Sequence, residues 1–342
     1  MSMSPFRLPL AANPLAPTPG IFDHALTVGI VGVAVGLLII SPVIFFILHR
    51  AGKTSPELNR ELYTRYRSWL FIAPLMLAPI LLGRIYAILS VGLLSLLCYR
   101  EYSQATGLFR HRLLSFTVVL GILLLTFASA DHWYGLFVAL PSLTITVIVI
   151  GALLADSPAG YIQRVALAVF GLLLFGACLG HLAYFANDQL FRPLLLLILA
   201  SVELNDIFAF VVGKTLGQRR LVPNTSPGKT LTGALGALVL TTTFFAFLAR
   251  SLFAGTVLDH PIHLITMGLL LSLAGQCGDL VLSSIKRDLG IKDMASTLPG
   301  HGGLLDRFDS LLLVAPVLFH YIGYFLGVGM DQPVRIFSGG AG

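Results

Sequence analysis

Apolar residues in this chain form long unbroken runs separated by short polar connections, rather than recurring at helical or strand spacing. A bilayer core about 30 Å thick takes roughly 20 consecutive apolar residues per helix. Runs of this kind lie at 26–48, 69–83, 85–101, 112–130, 134–154, 162–186, 193–213, 233–254, 262–283 and 308–329. They predict an all-α, polytopic integral membrane protein with about ten transmembrane helices. Gly83 and Arg84 interrupt the stretch from Trp69 to Tyr102, which predicts a tight helical hairpin there. The first run exceeds the apolar core of a cleavable signal, so it reads as a retained span. No internal repeat of fixed period is visible.

Composition supports the same class. The chain is 56% hydrophobic and only 11% charged, against about 25% charged residues in soluble domains. Its mean hydropathy is +0.88. A water-soluble globule and a disordered chain are both excluded. Cys98, Cys178 and Cys277 all sit inside apolar runs; an odd number without metal-ligand spacing excludes a disulfide framework. The net charge of +6 does not point to nucleic acid, because the cations are scattered rather than gathered in one patch.

Their distribution instead orients the chain. Of the 22 Lys+Arg, all but Arg7, Arg84, Arg192, Arg250 and Arg335 lie in or beside loops that come after odd-numbered runs. Cytoplasmic loops carry the Lys/Arg excess, so those loops are expected to face the cytoplasm and both termini the opposite side. Segments 214–232 and 284–307 then share the cytoplasmic face. We divide the chain into N-terminal transmembrane helices (1–190, six spans) and a C-terminal region (191–342) that carries the chemistry.

Most runs hold only Leu, Ile, Val, Phe, Ala and Gly. The seventh also carries Glu203, Asn205 and Asp206, and the ninth carries Gln276 and Asp279. A carboxylate inside a span costs about 2.5–3.5 kcal/mol on insertion scales and usually faces a protein interior or a wet cavity. Such residues either serve a function or merely cross-link helices and reach for the interface. The residues after Asp279 favour function. Asp279, Ser283 and Lys286 form one stripe of a helix leaving the membrane, and Arg287 comes next. The chain continues through Lys292-Asp293 to the helix-intolerant run Pro299-Gly300-His301-Gly302-Gly303, then Asp306-Arg307-Phe308-Asp309 enters the last span.

Carboxylate oxygens suit Mg²⁺ rather than zinc. A glycine-rich turn leaves N–H groups free to wrap phosphate oxygens, and the neighbouring Lys and Arg can bind phosphate. Metal-holding carboxylates beside cations are what phosphoryl or nucleotidyl transfer requires. The earlier segment adds Ser226-Pro227-Gly228-Lys229-Thr230. This is not a P-loop: Pro223 stands where that pattern needs its first glycine, and no strand context is expected.

The run Ser283-Ser284-Ile285-Lys286-Arg287, Lys292-Asp293, Pro299 to Gly303 and Asp306-Arg307-Phe308-Asp309 resembles the signature of the phosphatidate cytidylyltransferases (CDP-diacylglycerol synthases). A looser likeness begins at Asp206 and ends at the Ser226–Thr230 element. The resemblance implies a membrane enzyme that condenses CTP with phosphatidate to CDP-diacylglycerol and pyrophosphate, using Mg²⁺ and with room for a second cation such as K⁺. By position it makes Asp279, Lys286, Asp306 and Asp309 the catalytic set, with Asp279, Asp306 and Asp309 as metal ligands. Ser226, Lys229, Ser283, Arg287, His301, Gly302, Gly303 and Arg307 become substrate-binding residues. The expected partners are CTP, phosphatidate, membrane lipids and a second copy of the chain. The expected location is a bacterial cytoplasmic membrane, with the active site facing the cytoplasm. Two positions depart from the family: Gly228 replaces a usual lysine, and Thr232 a usual glutamate. A CTP-dependent enzyme acting on another lipid phosphate and a lipid or ion transporter remain the alternative readings.

Overall fold

The computed structural model describes residues 20–297, 302–327 and 335–339. Each apolar run coincides with a helix: α1 (Ala25–Arg50), α2 (Pro56–Leu82), α3 (Arg84–Thr106), α4 (Arg112–Ala130), α5 (Tyr134–Leu154), α6 (Tyr161–Phe185), α7 (Phe191–Leu216), α8 (Leu231–Leu252), α9 (Pro261–Asp288) and α10 (Leu305–Leu326). Among the described residues, nine of these are long and apolar enough to cross a membrane. The tenth, α2, has the length, but Glu57, Arg60, Glu61, Arg65 and Arg67 make its first half polar. Its start is well specified: the Ser55 side chain accepts from the Leu58 N–H and Pro56 occupies the first turn, where its missing N–H costs nothing.

The break between α2 and α3 falls at Gly83, whose φ of +142° is open only to glycine, and the two helices pack on one another. The apolar pattern gave no hint of one small element. Between α7 and α8 the chain forms an antiparallel ribbon, β1 (Arg220–Val222) and β2 (Ser226–Thr230), braced by Arg220 Nη1 donating to the Pro227 carbonyl at 2.6 Å.

Four helices set the position of the polar residues. They approach closely because small residues face each other, as expected where lipid supplies no hydrophobic drive and close packing must hold helices together. A Cβ on Gly233 of α8 would lie 2.5 Å from the Ala209 carbonyl oxygen of α7, and one on Gly268 of α9 would lie 2.8 Å from Thr242 Cα of α8. Likewise, a Cβ on Gly278 of α9 would stand 2.5 Å from the Asp309 carbonyl oxygen of α10. Hydrogen bonds reinforce these contacts. Buried Asn205 accepts from Thr241 Oγ1 at 3.1 Å and from Ser272 Oγ at 2.6 Å. Gln276 Nε2 donates to the Ala234 carbonyl at 3.2 Å. Asn205 and Gln276 are therefore helix cross-links, while the carboxylates beside them are left for other work.

Candidate active site

The polar ends of α7, α9 and α10 meet the ribbon at one end of the bundle. Asp279 lies on α9 one turn before Ser283, whose hydroxyl donates to Asp279 Oδ1 at 3.1 Å. Its other oxygen, Oδ2, pairs with Lys229 Nζ of β2 at 2.5 Å, so the ribbon serves to carry a lysine to the end of α9. A second strut holds the ribbon there, Arg287 Nε donating to the Thr225 carbonyl at 3.2 Å. Two turns below Asp279, Lys286 donates to Asp306 Oδ1 at 2.8 Å. This second pair is nearly enclosed, with side-chain exposures of 11% and 4%. Removing one partner of such a pair leaves a buried charge and costs about 3–5 kcal/mol.

Asp306 is also the anchor of the glycine-rich segment. Its Oδ2 accepts the Gly303 N–H at 2.9 Å and the Met294 N–H at 3.0 Å, tying both ends of the connection to the first turn of α10. Gly302 has φ +79°, a conformation that favours glycine, and a Cβ there would crowd Asp306 Oδ2 at 3.1 Å. Asp309 is buried and lies within electrostatic range of Asp279, Asp206 and Lys286. Asp206 in turn is reached by the Ser310 hydroxyl and acted on by Asp279, Lys229 and Arg307, and Glu203 lies beside Asp206 and Arg307.

The structure thus joins most of the expected residues, with some redistribution. Direct bonds link Lys229, Asp279 and Ser283 in one group and Lys286, Asp306 and Gly303 in another. Asp309 and exposed Arg307 border the same cluster. Arg287 points to the ribbon and to the Ile291 carbonyl, 3.1 Å away, and so braces the site's frame. Ser226 sits opposite Val222 in the ribbon. His301 lies outside the described residues. The three expected metal ligands do not form one set: both Asp306 oxygens are engaged by Lys286 and backbone N–H groups. Among the described residues no three His, Cys, Asp or Glu side chains are arranged to hold a metal by themselves. Asp279 acts electrostatically on both Asp206 and Asp309.

With this geometry in place, comparison with known proteins is decisive. The model of the cytidylyltransferase family matches residues 63–325. The chain belongs to the cytidylyltransferase family. It is 35% identical over 259 residues to the phosphatidate cytidylyltransferase of Bacillus subtilis, covering 70% of this chain and 88% of that protein. It is also 35% identical over 271 residues to the Escherichia coli protein named "Uncharacterized protein YnbB", covering 77% of this chain and 88% of that one. To the phosphatidate cytidylyltransferase of Staphylococcus aureus strain COL it is 44% identical over 117 residues, which span 34% of this chain and 44% of that protein.

One residue of this cytidylyltransferase's site escapes any motif. Glu101, on α3, is buried. Its Oε1 accepts from Thr297 Oγ1 at 2.6 Å and from the Leu304 N–H at 2.9 Å, and Oε2 accepts from the Leu305 N–H at 2.9 Å. A carboxylate at the N-terminus of α10 satisfies N–H groups that have no partner within the helix. Glu101 therefore ties the N-terminal half to Thr297 and to the start of α10, on either side of the glycine-rich segment. The sequence signal was faint: Glu101 sits just after Tyr99-Arg100 at a helix end where charge is commonplace.

Proposed function

We propose that this membrane protein transfers the cytidylyl group of CTP to phosphatidate at the cytoplasmic face, giving CDP-diacylglycerol and pyrophosphate. One observation carries the reading. Two lysine–carboxylate pairs stand on the last turns of α9, Lys229 with Asp279 and Lys286 with Asp306, the second bonded on to the glycine-rich segment, in a chain of the cytidylyltransferase family.

A phosphate oxygen of the lipid attacks the α-phosphorus of CTP; a new P–O bond forms, the bond to the β-phosphate breaks, and pyrophosphate leaves. The nucleophile is already an anion, so no strong base is needed, and the protein's task is to bring two polyanions together. Lys229 offers a point charge for phosphate and Arg307 a forked donor, while Lys286 holds Asp306. The Gly303 N–H and its neighbours fix the loop against α10. Asp279, assisted by Asp309, would contribute carboxylate oxygens to Mg²⁺, which supplies charge neutralisation on the triphosphate when bound. This donor set fits magnesium: that ion commonly takes one or two protein carboxylates and completes its shell from water and substrate phosphates. A second cation such as K⁺ belongs to the same proposal.

The cytoplasmic orientation rests on the Lys/Arg asymmetry. A cysteine placed in 217–230 should react with impermeant reagents only from the cytoplasmic side, and one in 253–260 only from the other. A different acceptor lipid phosphate is the second reading, favoured by Gly228 and Thr232, which depart from the family at the element carrying Lys229. The deciding assay presents purified protein with CTP and either phosphatidate or a polyprenyl phosphate, and measures pyrophosphate and CDP-lipid. Turnover with phosphatidate supports the first reading, turnover only with the other lipid supports the second, and intact CTP with both refutes a nucleotidyl transfer.

A further inference from the structure

Lys286 stands on α9 itself, but Lys229 reaches Asp279 from outside that helix, off a two-stranded ribbon. Strands of three and five residues have no core of their own and hold little shape alone. Something else must fix the point from which Lys229 starts. The next residue does this. Thr230 ends β2 and is the N-cap of α8, its hydroxyl accepting the Gly233 N–H at 3.1 Å. It pairs with Arg220 across the ribbon, and the following Leu231 N–H donates to the Arg219 carbonyl at 2.9 Å.

Capping accounts for the hydroxyl but not for the space around it. Three glycines converge on this side chain. A Cβ on Gly213, in the last turn of α7, would lie 2.9 Å from Thr230 Oγ1, and one on Gly233, in the first turn of α8, would lie 2.9 Å from the same atom. One on Gly217, just past α7, would lie 2.5 Å from Oγ1 and 2.7 Å from Cγ2, and would also strike the Gly213 carbonyl oxygen. The backbones do not themselves call for glycine. Gly213 is helical, where alanine is the better residue, and Gly217 is extended with φ −80°, open to any residue. Their bareness is explained by what they enclose: the end of α7, the start of α8 and the end of β2 close on one threonine.

We propose that Thr230 is a positioning residue for Lys229: seated among Gly213, Gly217 and Gly233, it fixes the point from which Lys229 reaches Asp279 and a substrate phosphate. The assignment rests on the function proposed above and deepens it by naming what places the ribbon's lysine. A lysine is a point charge on a flexible four-carbon stem, so its aim depends on how firmly the stem's base is held. The seat joins that base to α7 and α8, and α8 packs on α9, which carries Asp279. Base and target thereby share one frame.

Two measurements on the purified full chain test it, one independent of turnover. As helix caps, asparagine and serine serve at least as well as threonine, but asparagine is too large for the seat. Thr230→Asn should therefore lower kcat/KM for CTP by about 10²-fold, the scale of a group misplaced by about 1 Å, while Thr230→Ser matches wild type. Most of that loss should vanish in a Lys229→Ala background, because the two residues act through one group. Without CTP, acylation of Lys229 by an N-hydroxysuccinimide ester is read by peptide mass spectrometry against exposed Lys214. It should run severalfold faster in Thr230→Asn, with the nearly enclosed Lys286 still protected. Gly213→Ala crowds the seat from α7 and should reproduce both effects although alanine favours the helix; it decides the matter if the asparagine variant does not insert. Wild-type turnover and wild-type Lys229 acylation in Thr230→Asn, or losses that multiply with Lys229→Ala, would overturn the proposal and leave Thr230 a helix cap. Failure of wild type to release pyrophosphate from CTP would instead refute the proposed function, and the acylation would still decide the seat.

Discussion

Glu101→Ala is the sharpest perturbation because it changes the site without touching any residue of the family motif. The substitution removes three hydrogen bonds and leaves the buried Leu304 and Leu305 N–H groups without their acceptor. A buried donor left unsatisfied costs about 1–3 kcal/mol, so the two together amount to about 2–6 kcal/mol. The bundle need not unfold to relieve this. Thr297 and the start of α10 lose their hold on α3, so the freed N–H groups can take up water while the bonds from Met294 and Gly303 to Asp306 remain. Misplacing a catalytic group by about 1 Å can cost about 10²-fold in rate, and a fall of that order in kcat for CTP-dependent pyrophosphate release is expected. Glu101→Gln keeps an acceptor for one side but turns an NH₂ toward a donor on the other, so it should fall between alanine and wild type. Limited proteolysis gives an independent readout: both variants should be nicked faster within 292–303, in the order Ala, Gln, wild type. Normal turnover and normal protease resistance in Glu101→Ala would refute the claim that this side chain positions the segment.

Asp279→Asn deletes the charge that pairs with Lys229 and should lower activity by more than the roughly 10–100-fold typical of losing a second-layer partner of a metal site, whereas exposed Asp293→Asn should change it little; near-normal Asp279→Asn activity across a Mg²⁺ titration would exclude the metal assignment. Gly278→Ala places a methyl 2.5 Å from the Asp309 carbonyl oxygen, and the overpacking cost of about 1–3 kcal/mol should appear as a lower Tm in detergent together with reduced turnover. Burial first, and then the Arg84 charge, push the His132 pKa down to about 4, so the folded state favours the neutral ring. Stability from this source is complete above about pH 6.5, the unfolded value, and is lost as pH falls toward 4. Linkage gives a loss of roughly 2 kcal/mol between pH 7 and 5, and His132→Gln should flatten the Tm–pH curve over that interval.

The helices were legible because each had to present a long apolar surface to lipid, a demand that leaves little freedom in the sequence. The first half of α2 was the least legible part, since its charges read as a loop yet continue a helix capped by Ser55. The ribbon was invisible for a different reason: β1 and β2 are short, half-exposed and set by a turn and a crossing arginine rather than by any run of apolar residues. Within the site, spacing revealed Asp279, Ser283 and Lys286, which share a stripe of one helix. It could not reveal that Asp306 spends both oxygens on Lys286 and the loop, because Gly303 and Met294 come within reach only once the segment is folded. Glu101 lies about 200 residues from its partners in the chain, and no local pattern encodes such a contact.

The charge balance of the site accounts for the way these residues are shared. Counted at full ionisation, Glu203, Asp206, Asp279, Asp306 and Asp309 oppose Lys229, Lys286 and Arg307, an excess of two negative charges. Two unit charges 4 Å apart in a partly screened protein site interact by about 4 kcal/mol, so an unneutralised cluster would repel a triphosphate and a lipid phosphate alike. The lysine pairs remove part of that repulsion, and they do so unequally. The Lys286–Asp306 pair is nearly enclosed and committed to the loop, whereas Lys229 and Asp279 are each 24% exposed. Lys229 sits on a two-stranded ribbon, and Asp279 has Asp206 and Asp309 for neighbours. The exposed pair is therefore the one that can exchange partners. On the proposed function, a divalent cation drawn to Asp279 would cancel the excess and free Lys229 for a phosphate oxygen, while Asp306 goes on holding the loop to α10.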